Sequence, residues 1–152
     1  MKKTIGIYAG SFNPFHVGHK DILDQSIDLF DEVYLALGNN PSKDLSQREP
    51  LPVFLKNYKC KVHNYSGLLS DFINKVEWDN DGSNVWLVRG LRNGEDLSYE
   101  DNQLRFLKSM YPSLKTLFFR CDFKYDHISS SALRNLRKFS EEEYRKYTFL
   151  NT

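Results

Sequence analysis

Short apolar runs that alternate with longer segments of helical spacing constrain this chain more than any other feature. Residues 4–9 form an apolar run closed by Gly10, which reads as a buried strand. From His19 onward, Ile22, Leu23, Ile27 and Phe30 recur on one helical face, and residues 32–38 read as a second strand. Strand, helix and strand in succession make a βαβ unit. The alternation continues with strands at 61–65, 85–88 and 116–119, and with helices at 68–75, 97–110, 130–139 and 141–149. Such a pattern predicts an α/β fold: a Rossmann-like parallel sheet with helices on both faces, and ligands at the carboxyl ends of its strands. A length of 152 residues with 40% hydrophobic side chains fits one domain, 1–152. The stretch 39–52 carries Pro41, Pro50 and Pro52 and reads as a loop with at most a short helix after it. Asp79-Asn80-Asp81-Gly82 lacks the spacing of a calcium loop and reads as a turn.

Composition excludes several function classes. Lys and Arg number 21 against 20 Asp and Glu, a net charge of +1, so no global field points to nucleic acid or an anionic membrane. Any anion site is therefore local. No run approaches the ~18 apolar residues of a membrane span, and the start passes directly into a strand without the apolar core of a signal peptide. Cys60 and Cys121 have no close partner in sequence, as expected for reduced structural thiols in a soluble cytoplasmic protein.

Three segments carry chemistry. Gly10-Ser11-Phe12-Asn13-Pro14-Phe15-His16-Val17-Gly18-His19 lies where a strand ends and a helix begins, and free amides at a helix start favour anions. His16 and His19 are spaced to face one way from the first helical turn, where two imidazoles can donate to a triphosphate. The segment has neither the G-x-G-x-x-G of dinucleotide-binding oxidoreductases nor a P-loop, so neither class is supported. Arg89-Gly90-Leu91-Arg92, followed by Asp96, Tyr99 and Glu100, puts two permanent cations at a strand end, which suits anions. In His127-Ile128-Ser129-Ser130-Ser131-Ala132-Leu133-Arg134, Ser129 or Ser130 caps a helix whose start offers a second phosphate site. Taken singly, each has a plain structural reading: a turn, a solvated basic loop, a helix cap.

Together they resemble a known family. The first segment is similar to the HxGH signature of nucleotidyltransferases, whose two histidines contact the triphosphate. The Arg89 to Glu100 pattern, the Ile128 to Ser131 run and Pro41-Ser42-Lys43 resemble the phosphopantetheine adenylyltransferases. The resemblance implies the HxGH nucleotidyltransferase fold and transfer of AMP from ATP to 4′-phosphopantetheine, with Mg²⁺ carried by the phosphates rather than by a protein metal site. It also implies a homo-oligomer, with a hexamer as the family form. It assigns His19, His16, Lys43 and Arg92 to catalysis. ATP falls to Gly10, Ser11, Phe12, His19, Gly90, Leu91, Arg92 and Glu100, with Tyr125, Asp126, His127, Ile128, Ser129, Ser130 and Ser131. The acceptor falls to Ser11, Lys43, Leu69 and Arg89.

Departures concern specificity. Asn13 stands where the family usually has Asp, and His16-Val17-Gly18 is closer to nicotinamide-mononucleotide adenylyltransferases. The stretch 45–60 and the end after Phe139 are short. A nicotinamide-mononucleotide adenylyltransferase and a non-catalytic nucleotide-binding protein of the same fold are the competing readings.

Overall fold

The computed structural model describes residues 2–39 and 48–149. Five parallel strands form one sheet: β1 (Thr4–Gly10), β2 (Glu32–Asn39), β3 (Lys61–Ser66), β4 (Asn84–Leu91) and β5 (Lys115–Arg120), in the order β3-β2-β1-β4-β5. The helices are α1 (Val17–Leu29), α2 (Leu69–Asp79), α3 (Gly94–Met110), α4 (Ser130–Arg137) and α5 (Glu141–Arg145). The chain builds outward from β1 to β3, then crosses to β4, so the carboxyl ends of β1 and β4 form the switch point where an open α/β sheet binds ligands.

Apolar side chains on both faces of β1 explain its central place. Ile5, Ile7 and Ala9 join Ile73 and Val76 of α2 and Leu107 of α3 on one face. Tyr8 joins Ile22 and Leu23 of α1, Leu35 of β2 and Val88 of β4 on the other. The edge strand β3 is mostly exposed, and its Lys61 reaches back to Glu32 of β2. A third, smaller cluster of Ile128, Leu133 and Tyr144 joins α4 to α5. Gly6 is required by close approach, because a Cβ there would lie 2.5 Å from the Phe30 ring that follows α1.

Element types agree with the sequence pattern, and several ends differ for identifiable reasons. Helix α1 begins at Val17, two residues earlier than its apolar spacing indicates, because His16 serves as its N-cap. Helix α3 begins at Gly94, where the Asn93 side chain accepts from the Asp96 amide. Helix α2 runs on to Asp79, and the turn after it closes through a 3.0 Å bond from Ser83 N to Asn80 O, with Gly82 at φ +82°. Ser129, rather than Ser130, caps α4. Helix α5 stops at Arg145, short of the expected Phe149, because the chain beyond it is recruited by tertiary contacts: Tyr147 O accepts from Val17 N at 3.0 Å and Thr148 bridges to His16. The expected short helix after the proline-rich loop is a 3-10 turn, Val53–Asn57. Among the described residues, no helix is long and apolar enough to cross a membrane.

Ile73 is fully buried on the face covered by α2. Ile73→Ala should lower stability by about 2–5 kcal/mol, read as a drop in the urea midpoint with an unchanged slope.

Candidate active site

A cleft of about 370 Å³ opens at the carboxyl ends of β1 and β4. Its floor and polar wall begin in the loop from β1 to α1. Phe12 adopts φ +48°, a left-handed backbone unusual for a bulky residue, and its ring folds back over Gly10, where a Cβ would meet it at 3.1 Å. Distant segments hold this loop in place. Asn13 Oδ1 accepts from Glu49 N at 3.0 Å, Asn13 O accepts from Arg134 at 2.5 Å, and Pro14 O accepts from Ser130 Oγ at 3.0 Å. Arg48 donates to Ser11 O and also to Gly38 O at 3.2 Å and Asn39 Oδ1 at 3.1 Å, which ties the ends of β1 and β2 together.

Two histidines then start α1. His16 Nδ1 accepts from the amides of Gly18 at 3.1 Å and His19 at 3.4 Å, while His19 Nδ1 accepts from the His16 amide at 3.2 Å. This is a reciprocal capping box built from imidazoles, and it has a chemical consequence. Both Nδ1 atoms are occupied as acceptors, so each neutral ring carries its proton on Nε2 and keeps that donor for the cleft. The rings stack with centroids 3.6 Å apart. Burial, followed by the nearby Arg92 charge, pushes the His16 pKa down to about 4. Burial, then His16 and Arg92, holds His19 well below the ordinary histidine range. Both are neutral donors at physiological pH.

On the opposite wall, Arg89 donates through Nε and Nη2 to the two oxygens of Glu100 at 2.7 and 3.1 Å, and through Nη1 to Ala9 O at 3.1 Å. Arg92 forks onto Asp96 at 2.8 and 2.9 Å. Among the described residues, the charged side chains lining the cleft are two arginines and two acids, which balance. Each carboxylate locks its guanidinium in one orientation and leaves the remaining N–H donors to a ligand. The arginines also act on different groups: burial raises the Tyr65 pKa and Arg89 opposes that rise, whereas Arg92 helps to lower the two histidines.

The structure brings together most of the residues that the sequence singled out: Gly10, Ser11, Phe12, His16, His19, Arg89, Gly90, Leu91, Arg92, Glu100, Tyr125, Ile128, Ser129 and Ser130 all line the cleft. Others stand outside its walls. Asp126 pairs with Arg120 at 3.6 Å, the exposed His127 faces the Tyr147 ring, and Ser131 lies beside Ser129. Ile128 turns into the core and Ser129 turns back to cap α4, so the residues on either side point away. Leu69 packs on the core beneath α2. Glu100, expected to touch ATP, lines the cleft and has both oxygens on Arg89, whose side chain it orients. Pro41, Ser42 and Lys43 lie outside the described residues. Sequence reasoning missed Tyr8 and Arg48 as parts of the site and took Asn13 only as a departure. An Asn in a turn next to proline was the available signal for Asn13, while Arg48 carried none. Among the described residues, no group of His, Cys, Asp or Glu is arranged to hold a metal ion.

Comparison with known proteins agrees with this architecture. A family model described as cytidylyltransferase-like matches residues 7–136. The phosphopantetheine adenylyltransferase of Porphyromonas gingivalis is 35% identical over 148 residues, covering 93% of this chain and 92% of its own length. That of Christiangramia forsetii is 36% identical over 144 residues, covering 90% and 88% respectively. The solved Plasmodium falciparum nicotinic acid mononucleotide adenylyltransferase, complexed with NaAD, has a TM-score of 0.66 at 16% identity and covers 96% of this chain and 90% of its own, a likeness of fold alone. With a two-histidine cleft at the switch point of its parallel sheet, the chain is a nucleotidyltransferase and belongs to the cytidylyltransferase-like family. Within that family it belongs with the phosphopantetheine adenylyltransferases.

The depressed His16 pKa makes stability depend on pH. The unfolded chain binds this proton near pH 6.5 but the folded chain only near 4, so between these values the unfolded state holds more protons. Stability should be full above pH 6.5 and fall as pH drops toward 4, by about 1.4 kcal/mol per unit for one such histidine. His16→Ser, which keeps a cap oxygen, should flatten that slope relative to the parent in urea titrations at several pH values. Equal slopes in the two proteins would show that His16 titrates normally in the fold.

Proposed function

We propose that the protein transfers AMP from ATP to the phosphate of 4′-phosphopantetheine, giving dephospho-coenzyme A and pyrophosphate. The observation that carries this reading is the pair of neutral imidazoles at the start of α1, their Nε2 donors fixed by the capping box and facing two pre-oriented guanidiniums. A phosphate oxygen of the acceptor attacks the α-phosphorus in line; the new P–O bond forms as the bond to the β-phosphate oxygen breaks. The nucleophile is already ionised at neutral pH, so the reaction needs no general base, and catalysis consists of positioning and charge stabilisation.

His19 and His16 donate to the phosphates where negative charge develops, aided by the α1 amides. Arg92, electrostatically coupled to the histidines, serves the nucleotide. Arg89, which reaches Ala9 O and acts electrostatically on Tyr65, serves the acceptor together with Ser11 and Lys43. Preorganised dipoles and oriented cations suit this division, since they favour the transition state without holding product anions too tightly. Mg²⁺ enters on the triphosphate: Asp96 and Glu100 are committed to arginines, so the donor set favours a metal held by phosphate oxygens and water. When bound, it would neutralise triphosphate charge. We further place the protein in the cytoplasm, a reading supported by two free thiols, and infer a homo-oligomer, a hexamer by its family, supported by the exposed rings of Trp78, Phe106 and Phe139.

With ATP and Mg²⁺ held fixed, kcat/KM should favour 4′-phosphopantetheine over nicotinamide mononucleotide by orders of magnitude, with pyrophosphate release as the readout. The reverse preference would remove the acceptor assignment and leave adenylyl transfer standing. His19→Ala should cut turnover by ~10²-fold or more while changing ATP affinity far less, as for loss of one preorganised donor. Turnover within a few-fold of the parent would take His19 out of the mechanism.

A further inference from the structure

The two histidines occupy the cap and first turn of α1, and the polar side chains that follow them on the same helix reach the segment after β5. Asp21 Oδ2 accepts from the Asp122 amide at 2.8 Å and from Gln25 Nε2 at 3.2 Å, and Gln25 Nε2 also donates to Arg120 O at 3.2 Å. This acid and amide, spaced i and i+4 on one helix face, hold the chain at the point where it leaves the sheet. Cys121 N still bonds to Leu91 O at the end of β4, at 2.9 Å. Beyond it the turns are local: Tyr125 N donates to Asp122 O at 2.9 Å and Ile128 N to Tyr125 O at 3.0 Å. The chain is tied to the histidine loop again at Ser130, whose Oγ donates to Pro14 O at 3.0 Å.

The stretch from one tie to the other supplies Cys121, Tyr125, Ile128, Ser129 and Ser130 to the cleft that His16 and His19 also line. A segment built of turns has no ladder to fix its distance from α1, so side-chain ties at its ends set that distance. Asp24, on the same helix, provides a comparison. It accepts from Tyr58 Oη and pairs with Lys20 at 2.8 Å, which fastens α1 to the stretch 53–58, outside the cleft lining. Helix α1 therefore carries two polar ties, one to a cleft wall and one to a segment away from it.

We infer that Asp21 is a positioning residue for adenylyl transfer: by holding the Asp122 amide, with Gln25 on Arg120 O, it sets the segment 121–130 at the distance from the histidines at which ATP is gripped between them. This rests on the reading in which the histidines hold the phosphates of ATP, and adds the part that fixes the width of the cleft. Asp21→Ala removes the tie, so the KM for ATP should rise about 5- to 30-fold, with kcat and the acceptor KM changed far less. Asp21→Asn keeps an oxygen for the Asp122 amide and should recover most of the ATP affinity, because the tie needs an acceptor rather than a charge. Tyr58→Phe cuts the comparison tie and should leave the KM for ATP where it was. Kinetics are read at a temperature where circular dichroism shows each variant folded; should Asp21→Ala fail to fold, Gln25→Ala carries the test with a smaller rise of the same kind. Calorimetric titration with ATP should follow the KM values. An unchanged KM for ATP in Asp21→Ala would overturn the inference, as would equal rises in both KM values or the same rise in Tyr58→Phe, each the mark of a general loosening of α1. A parent whose ATP affinity depends on Asp21 but which adenylylates another acceptor would end the acceptor assignment alone, whereas normal turnover of phosphopantetheine without that dependence would end this inference alone.

Discussion

The junction between β1 and α1 is the point on which the site depends. The buried strand delivers the chain to the centre of the sheet edge, and within a few residues the backbone must reverse, cover Gly10 with the Phe12 ring and enter a helix. A positive φ at a large residue is held only when surrounding contacts over-determine it. Here they come from Arg48 and Glu49 on one side and from Ser130 and Arg134 on the other, segments far away in sequence. The same junction shapes the cleft, because the histidines that cap the helix also line it. Structural and chemical duties are joined in two imidazole rings: Nδ1 serves the helix and Nε2 serves the cleft.

This arrangement changes how charge is used. A cleft for a triphosphate and a second phosphate would be expected to carry surplus positive charge, yet its described walls are balanced. The acids give the arginines geometry. A guanidinium forked on a carboxylate loses little further side-chain freedom when an anion arrives, so more of the interaction is available for the reaction itself. The histidines follow the same logic, since a buried neutral donor needs no counter-charge and reorganises little as charge develops. Tight coupling of Glu49 to Arg137 and of Arg134 to Asn13 links α4 to the loop between β1 and α1, so this helix braces the loop that carries the histidines.

Much of this was legible in the sequence, but unevenly. Strand and helix types followed from hydrophobic period because burial on one or both faces imposes it, as in β1 and α2. The site residues around Gly10, His19, Arg89 and Arg92 were visible because glycines, paired imidazoles and paired guanidiniums at strand ends have few structural uses in common. Helix ends were less legible: the start of α1 depends on a histidine acting as a cap, and the end of α5 depends on Val17 claiming the Tyr147 carbonyl. Tyr8 was hidden for another reason. On a strand it counts as one more core aromatic, and only the assembled sheet brings it to the wall of the cleft.

The sequence by itself determined the order of elements, the parallel sheet and the chemical types at the switch point, since these follow from local period and residue chemistry that no distant contact needs to supply. Only the tertiary structure decided how those groups are committed. It pairs Arg89 with Glu100 and Arg92 with Asp96, sets both imidazoles as Nε2 donors, and turns His127 and Ser131 away while Ile128 and Ser129 face inward. The physical reason is that hydrogen-bond partnership, burial and the resulting pKa depend on distances between segments far apart in the chain, and those distances exist only once the sheet has assembled.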